Sequence, residues 1–405
     1  MPRRGDATRE RFIAGDPLRG LLSLGVLAVH VFAASLVTDS AFGTESTRIL
    51  DEFRLQFGFV GDLIIFATKG IWVFLVLSGY LISRPFVGAY LRGTPLPRTG
   101  RYLRGRLLRI VPVFWVAVLG TLLLFGTQGT SWERVLATFG FVGVYFPSDV
   151  WRQIGQSWTL TTEMSFYLAL PVFMFLLARL VRPLRNVRGR AVVLAGALGL
   201  VALGSLLFRL SEPETFGGRI GITSTAYTFV PGIALAMLEH WLPRRVAGRR
   251  AAVLAGGIIA GAAVLAMFVL SNGFSGRLAV FNTLCAGLLV GGCLLAQWAG
   301  GNCWRLLDNR LLHYLGERSY SIYLVHIAII GVLLEPLGPN QHSWHRAAFL
   351  GPATLVLSLV VAEVLHRAVE LPAMRRKRPR REAVQTGTDS GAPLAATAKA
   401  GPDLS

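Results

Sequence analysis

The sequence predicts an all-α polytopic membrane protein with about ten transmembrane helices and both termini in the cytoplasm. Three observations carry that prediction. Of the 405 residues, 53% are hydrophobic and only 16% charged, and the mean hydropathy is +0.53, a balance that suits a bilayer better than water. The apolar residues gather into ten segments, each able to reach across a hydrocarbon core of about 30 Å. The basic residues fall in every second loop, the pattern produced when Lys and Arg are retained on the cytoplasmic side.

In order, the segments lie near 16–38, 60–83, 109–126, 158–178, 191–210, 223–241, 251–270, 277–298, 313–334 and 347–368. Lys69 interrupts the second, and Trp158 opens the fourth. Arginines crowd the N-terminal arm at Arg3, Arg4, Arg9 and Arg11. They recur from Arg84 to Arg109, Arg179 to Arg190, Arg244 to Arg250, Arg305 to Arg318 and Arg375 to Arg381, after the second, fourth, sixth, eighth and tenth segments. The loops between hold few, among them Arg48, Arg54, Arg134, Arg152 and Arg219. One missed or extra span would break the alternation, so the loops support the segment count as well as a multi-pass location in the cytoplasmic (inner) membrane.

The chain therefore divides into a basic cytoplasmic arm (1–15), a ten-helix domain (16–372), and a cytoplasmic tail (373–405) that is basic and then small and polar. From Glu382 the tail is too poor in apolar residues to bury a core, and disorder is expected there. The first apolar segment is too long for a signal-peptide core, so it is expected to stay as a span. The net charge of +19 and isoelectric point near 11.1 come with no nucleic-acid recognition motif, which points to anionic lipid rather than nucleic acid. Cys285, Cys293 and Cys303 show no metal or disulfide spacing and read as buried thiols; no metal site is expected.

Charged and titratable side chains within spans are costly, which makes them functional candidates. Arg19 and His30 share the first span. Eleven positions make close to three helical turns, so both lie on one face, roughly 16 Å apart along the axis. Alone, Arg19 reads equally as a snorkelling anchor and His30 as an interhelical hydrogen bond. Ser78 and Gly79, in the second span, permit close helix approach, and Tyr80 follows them. Arg106 and Arg109 fall on one side of a helix, a spacing suited to a phosphate-rich ligand as well as to charge anchoring. Glu163, about one turn inside the fourth span, needs a partner or a proton, and a structural partner such as an arginine would serve. Ser319, Ile322, Tyr323 and His326 share a helical stripe, with His326 at a depth similar to His30. His366 and Glu370, four apart, read as a helix-end pair.

These motifs, in this order, resemble the acyltransferase-3 family of integral-membrane O-acyltransferases. The family's Arg, ten residues and His in the first span match Arg19 and His30. Its "FFVLSGYL"-like segment matches Val73 to Leu81, and its R-x-x-R-I-x-P element matches Arg106 to Pro112. Its "WSLxxE…FYL" segment matches Trp158 to Leu168, its "G..SY.IYL.H" segment Gly316 to His326, and its E-x-P ending Glu370 to Pro372. Three features depart from the pattern: Pro17 after Asp16, Thr161 and Thr162 in place of a small-acidic run, and Met164 where relatives often carry a second acid. The esterase-like domain fused to some relatives is not expected here.

The resemblance implies transfer of an acyl group, often acetyl from acetyl-CoA, to a hydroxyl of a glycan, glycolipid, peptidoglycan sugar or secreted natural product. It implies no permanently bound cofactor, with acyl-CoA as donor substrate and membrane lipid as surroundings. Arg19, Arg106 and Arg109 become the expected donor-phosphate ligands. His30 becomes the general base, a role its ordinary pKa near 6.5 suits, with Glu163 and His326 assisting. Ser78, Tyr80, Trp158 and Tyr323 become the expected acceptor contacts. A covalent acyl relay through a serine or tyrosine stays open as a mechanism. The competing class is a proton-coupled transporter using the same intramembrane His, Glu and Arg residues; against it stands the absence of an inverted repeat or paired broken helices.

Overall fold

The computed structural model describes residues 12–36, 46–145, 152–184, 186–211, 218, 220–241, 249–270, 276–299, 308–337 and 343–376. The N-terminal arm up to residue 11, Cys303, and the tail from 377 onward lie outside the described residues. Among the described residues there is no strand, and nine helical stretches are long and apolar enough to cross a membrane. A further apolar stretch, Ile222–Leu238, is shorter; it includes a tight 3-10 turn at Ala226–Thr228, and Pro231 stands in the first turn of its last helix. The expected count of about ten stands.

The elements are α1 (Gly15–Ser35), α2 (Ser46–Phe57), α3 (Phe59–Ala67), α4 (Gly70–Arg92), α5 (Thr99–Phe125), α6 (Trp132–Phe139), α7 (Trp158–Leu180), α8 (Val187–Leu210), α9 (Val230–Leu238), α10 (Arg249–Leu270), α11 (Gly276–Trp298), α12 (Arg310–Leu334) and α13 (Ser343–Leu365). Lys69 marks a real break: α3 and α4 form one span that turns at Thr68 and Lys69, with Lys69 buried. The short helices α2 and α6 lie in loops where the hydropathy pattern announced nothing.

The third span corrects a boundary. It starts at Thr99, directly after Pro95 and Pro97, and not near residue 109. Proline favours the first turn or the residues before it, and arginine is a good helix former. The arginines read as loop are therefore helical, and Arg106 and Arg109 stand roughly 10 and 15 Å above the helix start at 1.5 Å per residue.

Two close crossings position the site. A Cβ on Gly316 would stand 2.0 Å from the carbonyl oxygen of Asp16, and one on Gly20 would stand 3.0 Å from the backbone nitrogen of Gly316. The backbones of α1 and α12 thus touch, as small residues allow between membrane helices. His30 lies ten residues beyond Gly20, and His326 ten residues beyond Gly316. Both helices climb about 15 Å from the crossing, so the two imidazoles arrive at one level. Replacing Gly316 by valine is expected to cost about 1–3 kcal/mol by overpacking, read as a lowered Tm in detergent; an unchanged Tm would contradict the crossing. The second crossing joins α4 and α9, where a Cβ on Gly79 would stand 2.4 Å from the carbonyl oxygen of Phe229 and one on Gly232 2.1 Å from that of Val76. The Ser78–Gly79 pair serves this approach.

Candidate active site: an arginine-lined cavity below a histidine pair

Five helices, α1, α4, α5, α7 and α12, surround a cavity of about 80 Å³. Its charged and aromatic polar lining comes from Arg19, Arg106, Arg109, Glu163, Tyr167, Tyr320 and Tyr323, and Ser23, Thr159 and Ser319 add hydroxyls. Leu22, Val26, Ile71, Phe74 and Leu160 supply apolar wall. Along α1 the lining runs from Arg19 to Val26, about 10 Å of rise.

Three guanidiniums face one carboxylate here. Arg19 is within electrostatic reach of Arg109, Glu163 and Tyr167, and its Nη1 lies 4.0 Å from Asp16 Oδ1. Glu163 is buried; Ser78 Oγ donates to its Oε1 at 2.7 Å, and Tyr167 lies within electrostatic reach of it. Arg106 sits over the Tyr167 ring, 5.8 Å from its centroid, within cation–π range. The Tyr320 hydroxyl donates to the Ile110 carbonyl at 2.9 Å, fastening α12 to α5 beside Arg109. The surplus of positive charge on a planar, fork-shaped donor group suits an anionic ligand, phosphate or carboxylate.

The histidines meet above this cavity. His30 Nδ1 lies 2.9 Å from the Val26 carbonyl oxygen and 3.2 Å from His326 Nε2, with the ring centroids 5.0 Å apart. A carbonyl oxygen can only accept, so the hydrogen-bond network assigns the proton to His30 Nδ1 and leaves its Nε2 with a lone pair. His326 is fully buried, and its ring lies 5.8 Å from that of Tyr323. The Tyr323 hydroxyl donates to the Gln156 carbonyl at 2.6 Å and stands 2.6 Å from Thr159 Oγ1. Val26 and Tyr323 therefore belong both to the cavity wall and to the surroundings of the histidine pair.

A profile of the acyltransferase-3 family, described as an acyltransferase domain, matches residues 15–363. The chain belongs to the acyltransferase-3 family. It is 30% identical over 335 residues to the exopolysaccharide production protein ExoZ of Rhizobium meliloti, covering 78% of this chain and 92% of that one. It is 24% identical to the acyltransferase MdmB of Streptomyces mycarofaciens over 93% of this chain and 96% of that one. It is 24% identical to the peptidoglycan O-acetyltransferase OatA of Listeria monocytogenes over 75% of this chain and 50% of that one, so it spans about half the length of that relative. No solved structure matches. The protein is thus an acyltransferase, and a multi-pass membrane protein by its helices and its family.

In this acyltransferase the expected donor ligands Arg19, Arg106 and Arg109 come together in one cavity from two helices, joined there by Glu163 and Tyr323. His30 and His326 come together above it. Glu163 contacts neither histidine among the described residues; it sits with Ser78, Tyr167 and the arginines. Ser78, Tyr80 and Trp158 do not line the cavity. Ser78 holds Glu163. Tyr80 is buried against Phe12, and its hydroxyl donates to Glu239 Oε2 at 3.2 Å in the ion pair that Glu239 makes with Arg84. Trp158 is half-buried at the start of α7. Ile322 leaves the expected stripe and packs with Leu27 and Leu315 instead. Sequence reasoning passed over Tyr167, one turn after Glu163, and Tyr320, one residue after Ser319. An aromatic one turn from a buried acid was the available signal for Tyr167; Tyr320 is indistinguishable by pattern from an interfacial tyrosine.

Proposed function

We propose that this acyltransferase moves a short acyl group, acetyl first of all, from its coenzyme A thioester to a hydroxyl of a carbohydrate, glycolipid or secreted natural product. The observation that carries this reading is the continuity of the site. One cavity runs from three arginines to Val26 and Tyr323, which border the histidine pair. The arginines hold the donor's phosphates at the arginine-rich, cytoplasmic end of the bundle. The thioester reaches toward His30, and the acceptor hydroxyl approaches His30 Nε2. His30 takes the hydroxyl proton as the oxygen attacks the thioester carbonyl; the carbon–sulfur bond breaks, and the proton passes to the departing thiolate. His326 keeps the His30 ring in orientation from the Nδ1 side.

The narrow cavity favours a short acyl group over a long chain. Relatives named for exopolysaccharide production and peptidoglycan O-acetylation favour a saccharide acceptor. The test supplies radiolabelled acetyl-CoA to the purified protein in nanodiscs, with envelope lipid and polysaccharide extracts as acceptors. Label is expected in the carbohydrate or glycolipid fraction, with release of free thiol. Arg106→Ala is expected to raise the KM for acetyl-CoA about 10–100-fold, the worth of a hydrogen bond to a charged group. Acetyl-pantetheine, which lacks the phosphates, should not feel that change. No thiol release from acetyl-CoA or its short homologues would overturn the reading.

A further inference from the structure

Beyond Leu365 the tenth predicted segment does not simply end. It loosens into one π-helical turn, His366–Glu370, before Pro372 and a last short helix, Leu371–Arg375. π turns are rare and collect at functional sites, because the extra residue re-aims side chains that α spacing would point elsewhere. Here the turn packs on α5 and delivers Glu370, only 1% exposed, against the helix that carries the cavity arginines. The Arg104 guanidinium, donating to the Arg376 carbonyl at 3.2 Å, ties the same two segments together.

The two carboxylate oxygens of Glu370 do different things. Oε2 stands 2.8 Å from Nδ1 of the buried His366, and Oε1 faces Arg109 Nε at 4.0 Å. A carboxylate this buried requires a partner, and it has one on each side. Arg109 gains more from the arrangement than a contact. It lines the cavity together with Arg19, which it repels, and its side chain is 31% exposed. Glu370 approaches the Nε edge and leaves both terminal nitrogens of the fork facing other space; among the described residues, no hydrogen bond engages them. Those two nitrogens form one edge of the fork able to grip a phosphate bidentately.

We propose that Glu370, steadied by His366, is a positioning residue that holds the Arg109 guanidinium in the donor cavity against repulsion from Arg19. The proposal rests on the reading that Arg109 binds donor phosphate, and its test separates the two. Acyl transfer in nanodiscs is measured for Glu370→Gln, Arg109→Ala and the double variant. Glu370→Gln is expected to raise the KM for acetyl-CoA about tenfold, in the range of couplings between neighbouring charged groups, with kcat within about twofold of wild type. Arg109→Ala is expected to raise KM at least as much, and the double variant no further. A merely structural role would lower the amount of active protein and leave KM alone. Should Glu370→Gln fail to accumulate in folded form, His366→Asn carries the test, with the same rise in KM at constant kcat expected in weaker form. Unchanged KM in Glu370→Gln, or in His366→Asn where that variant stands in, alongside a raised KM in Arg109→Ala overturns the positioning role and leaves the donor reading standing. Unchanged KM in Arg109→Ala overturns both.

Discussion

Acyl transfer by a His30→Ala variant is expected to fall about a hundred- to ten-thousandfold, the usual contribution of a general base, while the protein remains folded and membrane-embedded at the wild-type level. The expectation of folding comes from the surroundings of the ring. His30 is half-buried, and its described hydrogen bonds run to its own helix at Val26 and to His326. Its loss leaves His326 Nε2 unpaired in addition to Nδ1, which already has no hydrogen-bond partner among the described residues, a further cost of about 1–3 kcal/mol, whereas the Gly20–Gly316 crossing that holds α1 on α12 is untouched. KM for the donor should stay within about twofold, because a base that acts only in the transition state adds nothing to ground-state binding. His326→Ala should cost less turnover than His30→Ala, since His326 acts through His30. The measurement is steady-state transfer by purified variants, normalised to protein recovered from the membrane. Turnover above about a tenth of wild type would move the base elsewhere. A stable acyl adduct on intact protein, found by mass spectrometry in the variant, would replace direct transfer by a covalent relay.

How much of this was legible beforehand differs from residue to residue, and the reasons are physical. Spans and loop charges were legible because bilayer thickness and charge retention act on composition over some twenty residues at a time. The meeting of His30 and His326 was nearly legible: both sit ten residues past a glycine that only a crossing explains, but a single sequence does not say which two glycines cross. Arg106 and Arg109 were found through their spacing, although the helix that holds them begins nearly three turns before the apolar run. Glu163 was found by its cost, and an arginine lies within its reach; the histidine contact drawn from the resemblance is not among its described ones. Depth along a helix follows from numbering, whereas rotation about the axis depends on neighbours, and rotation sends Glu163 to Ser78 and Tyr167. Tyr80 was drawn in by a motif and is taken instead by the Arg84–Glu239 pair, whose acid lies 159 residues away. The Glu370 contact with Arg109 was illegible, because α spacing pairs His366 with Glu370 and does not disclose the π turn that aims the acid at α5.

The second large effect is expected at Glu163, and it is one of stability first. Arg19 and Glu163 are both largely buried, within electrostatic reach of each other, and Arg106 and Arg109 line the same small cavity. Glu163 is the one carboxylate in that described lining. Removing one partner of a buried ionic cluster costs about 3–5 kcal/mol; Arg19 keeps Asp16 and Arg109 keeps Glu370, each at 4.0 Å, so the loss is expected toward the lower end of that range. Glu163→Ala should therefore lower Tm sharply, and Ser78→Ala, which removes only the 2.7 Å bond to Oε1, should cost about 1–2 kcal/mol. Glu163→Gln should fall between them, since the amide oxygen can still accept from Ser78 but carries no charge. Coenzyme A sharpens the test. An anionic ligand entering the cavity supplies the missing negative charge, so it should raise the Tm of Glu163→Ala more than that of wild type, where Glu163 already competes for the arginines. Ligand at a hundred times its Kd stabilises by about 2.7 kcal/mol, enough to recover much of the loss. A wild-type Tm in Glu163→Ala would mean that the three guanidiniums do not depend on this carboxylate; equal shifts with coenzyme A in both proteins would mean that the ligand's phosphates lie outside the field of Glu163.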